Sequence, residues 1–176
     1  LANREDKKEL IINKAIQLFA ENGYYKTTTA MIANAAGVTQ PYVFHFFQNK
    51  EELFKAVIER AFNQIYYTFM EVEAPADRLS SEMGKSFMEI IKKYRYEVLM
   101  VMQAYTIADE GIRQHIRKLF LTIYEMLFLK FEKAGIPFPK EKASEFIGTG
   151  LLITVSEVLD LPEIFNMKDE ECRKEY

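Results

Sequence analysis

Apolar residues recur three or four positions apart along almost the whole chain, and this period is what most restricts its fold. Leu10, Ile11, Ala15, Leu18 and Phe19 form one such stripe; Leu53, Phe54, Val57, Ile58, Ala61, Phe62 and Ile65 form another. This spacing lays an apolar face along an α-helix, whereas a half-buried strand needs strict alternation. No convincing alternating run occurs. Only seven glycines and five prolines interrupt the 176 residues, so the pattern predicts an all-α protein of about nine helices.

The interruptions place the helix ends. A first helix is expected over about Asp6 to Asn22, stopped by Gly23. Thr27, Thr28 and Thr29 supply oxygens to cap a short second helix through Ala35, which Gly37 ends. Thr39 is placed to cap a third, Pro41 suits its first turn, and Phe47 lies near its end. Asn49 with Glu52 marks the start of a long fourth helix reaching about Glu71. The segment EVEAPADRLSSE, around Pro75, is the expected break between an N-terminal unit and a larger C-terminal one. Later helices are expected over Ser81 to Tyr94, Glu97 to Ala108, Ile112 to Ala134, Glu141 to Leu159 and Pro162 to Lys174.

Composition narrows the function. The only cysteine is Cys172, so an intramolecular disulfide is impossible and a reducing cytoplasm is the expected setting. The opening ANREDKKE is too polar for the apolar region of a signal peptide. The longest uncharged apolar run, Phe146 to Ser156, falls short of the roughly 20 residues that span a bilayer, so no membrane partner is expected. Two histidines and one cysteine, without an HExxH, GxSxG or P-loop, give catalysis or metal binding little foundation; no enzyme activity, metal or cofactor is expected. A formal charge of −3 excludes a generally basic nucleic-acid coat and leaves room for a local DNA-contacting surface.

The third helix carries such a surface. In TQPYVFHFFQNK, Val43 and Phe47 are four apart and share a core-facing side, while Gln40, Tyr42, His45 and Phe46 reach outward. Two short helices joined by a tight turn at Gly37 have the layout of a helix-turn-helix. An outward glutamine suits a base edge, a phenol or imidazole a phosphate, and apolar rings the thymine methyls. Aromatic bulk in a short helix is also ordinary core. Lys50 could anchor a phosphate, with Lys7, Lys8, Lys26 and Lys55 as further candidates.

The stretch TTTAMIANAAGVTQPYVFHFFQNKEELF resembles the N-terminal signature of the TetR family of bacterial transcription regulators, and AIQLFAENGYYKTTT resembles its first helix and glycine turn. The resemblance runs from about Asn13 to Ile58. It implies a helix-turn-helix DNA-binding domain at 1–50, with the motif at about 29–48, and a helical ligand-binding and dimerisation domain at 51–176. Thr28 and Thr29 then correspond to phosphate-contacting positions. Thr39, Gln40, Pro41 and Tyr42 correspond to the groove-facing start of the recognition helix, and Phe44, His45, Phe46 and Lys50 to further DNA contacts. Relatives commonly have tyrosine at the position of Phe44 and tyrosine or histidine at that of Phe46. Losing both polar tips implies a shallower dependence of DNA binding on salt.

The larger half is rich in adaptable side chains. Phe87, Met88, Tyr94, Met100, Tyr105, Phe120, Tyr124 and Phe128 are candidate pocket residues, although such side chains are more often ordinary core. The resemblance implies a cavity here for a largely apolar small molecule. In FIGTGLLITVSEVLDL, Gly148 and Gly150 permit close helix approach. By resemblance this helix belongs to a four-helix interface between two copies, with Ile147, Gly148, Leu151, Thr154, Val155 and Val158 as candidates. The implied function is a homodimeric regulator of an inverted-repeat operator in double-stranded DNA, with two recognition helices about 34–36 Å apart. Its most common form is a repressor that an effector releases. The alternative is a helical ligand-binding or interaction protein without sequence-specific DNA binding.

Overall fold

The structure, a computed structural model, describes residues 4–164. Among them stand eight α-helices, followed by one turn of 3-10 helix at Pro162–Ile164. The all-α expectation holds; most of the ninth expected helix, and Cys172, lie outside the described residues.

The N-terminal unit is stitched together by local chemistry. Helix α1 (Arg4–Lys26) buries Ile11, Ile12, Ala15, Ile16, Phe19 and Ala20, and loses helical geometry at Gly23, where φ is 76°. The extra turn beyond Gly23 is held by the buried Thr27, whose hydroxyl lies 3.0 Å from the Leu18 carbonyl oxygen and 2.8 Å from that of Gly23. Helix α2 (Thr29–Ala35) begins with the Thr28 hydroxyl accepting from the Met31 N–H, as expected of that cap. Gly37, at φ 61°, turns the chain into α3 (Gln40–Phe44). Thr39 occupies the cap position of α3 without a side-chain bond, so its hydroxyl is left facing out.

Helix α4 (Lys50–Glu71) starts from Asn49, whose side chain accepts from the Glu52 N–H at 2.8 Å. The break after it is shorter than expected, because α5 (Ala76–Lys93) begins directly at Pro75. The Pro75 carbonyl accepts from the Arg78 and Leu79 N–H groups, and Leu79 and Met83, four apart, fall on the buried side. ADRLSSE is therefore helix, and the linker shrinks to residues 72–75.

Helices α6 (Arg95–Ala104), α7 (Glu110–Lys133) and α8 (Pro139–Leu159) complete the described chain. The sixth ends four residues before its expected limit of Ala108; a short link then leads to the Asp109 cap, whose carboxylate accepts from the Ile112 N–H. Helix α4 packs against α1, α5, α6 and α7, while α1 lies along α6. One continuous buried cluster runs from Ile11 to Ala143, so the N-terminal unit and the larger half share a core. Within it Phe54 is 1% exposed and meets Phe19 edge-on at 4.9 Å and Tyr24 at 4.9 Å. Replacing Phe54 by alanine is expected to cost about 3–5 kcal/mol, measured as a lowered midpoint in urea unfolding. An unchanged midpoint would show that this junction does not hold the two halves together.

Candidate nucleic-acid interface and effector cavity

Helix α3 presents two unlike sides. Val43 is fully buried and Phe47 nearly so, as their spacing predicts. Thr39, Gln40, Pro41, Phe44 and His45 are exposed, while Tyr42 and Phe46 are half-buried. The half-buried rings make a small stack: Tyr42 lies edge-on to Phe46 at 5.4 Å, and His45 packs on both. The Arg4 guanidinium sits 5.6 Å from the Phe46 ring centre. Arg4 had no signal in the sequence, because only the fold returns the start of α1 to the end of α3.

Several expected contacts have a partner inside the protein. Thr29 is buried, and its hydroxyl accepts from Gln40 Nε2 at 2.8 Å. Its observed job is to hold the glutamine, which leaves the Gln40 carbonyl as a fixed acceptor; Thr28 remains exposed at the helix start. Lys50 Nζ donates to the Tyr24 carbonyl at 3.0 Å and lies 4.4 Å from that residue's ring centre. Lys55 is drawn to Glu51 at 2.6 Å and Glu52 at 3.6 Å. Lys26 is exposed at the end of α1.

Below α4 the larger half encloses a cavity of about 160 Å³. Of the expected pocket residues, Phe87, Tyr94, Tyr105 and Phe120 line it. Met88, Tyr124 and Phe128 do not, and Met100 is 1% exposed in the core. Much of the wall comes from residues that look like plain core in the sequence: Phe62, Ile65 and Phe69 of α4 and Phe146 of α8. Gly150 faces the Phe87 ring of α5, with which a Cβ there would make ordinary contact at 3.5 Å. Polar groups at the wall include Arg60, Gln64, Glu97 and Tyr105. Arg60 is already engaged by Glu9 and Asn13, each at 2.9 Å.

The expected dimer residues split between two faces of α8. Ile147 and Thr154 turn inward to the cavity, and the Thr154 hydroxyl donates to the Gly150 carbonyl at 2.8 Å. Leu151 lines the cavity while remaining partly exposed, Val155 and Val158 are half-buried, and Gly148 faces out. Leu152 and Leu159, which the sequence does not mark as contact residues, are exposed; so are Leu121 and Leu129 on the adjoining α7.

A short helix pair fixed by a buried valine and phenylalanine, with a polar and aromatic face outside and a cavity-bearing helical body beneath, defines a helix-turn-helix regulator. Residues 11–57 match the family model described as bacterial regulatory proteins, tetR family. Residues 11–57 thus carry the N-terminal domain of the TetR family, whose members are transcriptional regulators rather than enzymes. Among similar curated proteins, the negative transcriptional regulator IcaR of the icaADBC biofilm operon in Staphylococcus epidermidis is 24% identical over 148 residues, covering 82% of this chain and 78% of its own. FadR from Bacillus subtilis, solved with stearoyl-CoA, superposes with a TM-score of 0.74 at 18% identity, covering 86% of this chain and 88% of that one. AibR, solved with isovaleryl coenzyme A and operator DNA, gives 0.66 at 21% identity, covering 85% and 86%. The two structural likenesses carry the fold.

Burial raises the Tyr105 hydroxyl to about 12, while the residue as a whole is 40% exposed. The neutral phenol is thus favoured in the folded state. Its contribution to stability is complete below the ordinary value of 10.0 and is lost as the pH rises from there through about 12. Unfolding followed over this range should show a steeper loss for the wild type than for Tyr105→Phe, and equal slopes would place the hydroxyl in water.

Proposed function

We propose that this protein is a homodimeric repressor that binds an inverted-repeat operator in the cytoplasm and releases it on taking up a largely apolar small molecule. The division of labour follows the helices: residues 1–50 read DNA, and residues 51–176 bind the effector and the second copy. One observation carries the reading. The outer face of α3 holds Thr39, Gln40, Pro41, Phe44 and His45 in the open, and Gln40 is fixed in place by Thr29. A fixed glutamine on an exposed recognition helix suits a base edge, and the adjacent Phe44 ring suits a thymine methyl. Thr28, Tyr42 and the edge of Phe46 flank this face as phosphate or packing contacts, with Lys50 bracing the turn beneath. The cavity supports an apolar effector, as do the acyl-CoA ligands of the structurally similar FadR and AibR.

The DNA reading is tested by selecting bound sites from a random duplex pool at fixed salt and sequencing them. An enriched inverted repeat is expected; no enrichment would move the function to DNA-independent ligand binding. On the selected site, Gln40→Ala should lose about 10-fold in affinity, roughly 1–3 kcal/mol for a base contact, while binding to random DNA stays the same.

The proposed second copy covers the outward stripes of α7 and α8, where Leu129, Leu152 and Leu159 are exposed and Gly148 faces out. Leucines at 43–58% exposure on adjoining helices are a large apolar area to leave in water. Sedimentation should show a dimer for the wild type and a folded monomer for Leu152→Arg, whose charge would be buried without a partner. A variant that stays dimeric would place the interface elsewhere.

A further inference from the structure

A second, wider cavity of about 440 Å³ opens beside the first. The two share Tyr105, Phe120 and Leu151 as lining, and the Tyr105 and Phe120 rings meet edge-on at 6.0 Å between them. The outer cavity differs from the inner one in carrying Arg113 and Arg117. These arginines are four apart on α7, hence on one face, and both are exposed. Arg117 has no hydrogen-bond or ion-pair partner among the described residues, whereas Arg113 is held by Glu110. The inner cavity offers an anion less, since its Arg60 is taken by Glu9 and Glu97 stands on its wall.

We propose that Arg113 and Arg117 form a head-group site, so that the effector is an amphiphile with one apolar chain and an anionic head. This rests on the effector reading above. The chain enters the inner cavity past Tyr105 and Phe120, and the head stays outside on the guanidinium pair. Planar guanidinium groups match both carboxylate and phosphate oxygens, and an open mouth sets little limit on the rest of the head. Glu110 shares Arg113 with the incoming anion. The site lies at the turn between α6 and α7. Flanking that turn, Gln103 donates to the Ala20 carbonyl at 2.7 Å, and a Cβ on Gly111 would run into the Glu51 carboxylate. A head bound there sits beside the seam with the DNA-binding unit.

Calorimetric titration of the full chain with dodecanoyl-CoA, dodecanoate and dodecan-1-ol, each below its aggregation concentration, tests this. The wild type should bind at least one anionic probe about 10-fold or more tightly than the alcohol. A gain for dodecanoyl-CoA alone identifies a phosphate-bearing head, and a gain for both identifies any terminal anion. In the Arg113→Gln/Arg117→Gln variant, checked for helicity by circular dichroism, that advantage should vanish while the alcohol binds as before. Should the variant fail to fold, the wild type still decides, because only the anionic probe should weaken as salt rises. An advantage that survives the variant, or one insensitive to salt, overturns the head-group site. Alcohol binding equal to that of both anions overturns it while leaving the effector cavity intact; binding of no probe removes the effector reading itself.

Discussion

The burial of α4 along nearly its whole length is the constraint on which the rest depends. Its first half places Leu53, Phe54, Val57 and Ile58 in the core beneath α1, and its second half sends Phe62, Ile65 and Phe69 to the cavity wall. One rigid rod therefore belongs to both parts of the molecule. Close-packed cores shift between discrete arrangements rather than bending smoothly. A ligand that shifts α4 as a unit displaces Phe54 together with Phe62 and Phe69, and with it the surface on which Phe19 and Tyr24 rest.

A second seam runs alongside the first. The turn between α6 and α7 brings Asp109 close to Tyr24 of α1 and Glu51 of α4. Burial first, and then these two carboxylates, push the Tyr24 hydroxyl above its usual range. Gln103 closes the seam on the other side through the Ala20 carbonyl. Such contacts are few and polar, unlike the aromatic packing around Phe54. Differential binding to two arrangements is all that coupling requires, and its free energy is the same whether read from the effector or from DNA.

The sequence was most informative where local rules act alone. Helix existence, the Thr28 and Asn49 caps, the turns at Gly23 and Gly37 and the inward pair Val43 and Phe47 all follow from spacing and short-range hydrogen bonds. It misled where a turn signal met a helical stripe: Pro75 reads as the centre of a loop, yet Leu79 and Met83 continue the apolar period. At the cavity, spacing could not separate wall from core. Met100 is buried solid while Phe69 lines the space, and only the packing of α4, α5, α7 and α8 distinguishes them. On α8 the small residues divide: Gly150 faces Phe87 of α5, while Gly148 lies on the exposed stripe with Leu152. Arg4 and Arg117 draw their significance from neighbours distant in the chain or on other helices.

How the protein holds DNA follows from where its charges are spent. The first 60 residues carry eight lysines and arginines against seven acids, and the structure engages several of the eight internally. Lys50 braces Tyr24, Lys55 is pinned between Glu51 and Glu52, and Arg60 is tied to Glu9 and Asn13. Phe44 and Phe46 bring no hydroxyl to a phosphate. On the proposed reading, counterion release, which drives non-specific binding, would contribute less at this surface. Affinity must then come in larger part from base edges, methyl contacts and shape, terms that exist only at the right sequence. On that reading a regulator with net charge −3 would gain from this arrangement, because little of it would be held on the random DNA that surrounds each operator.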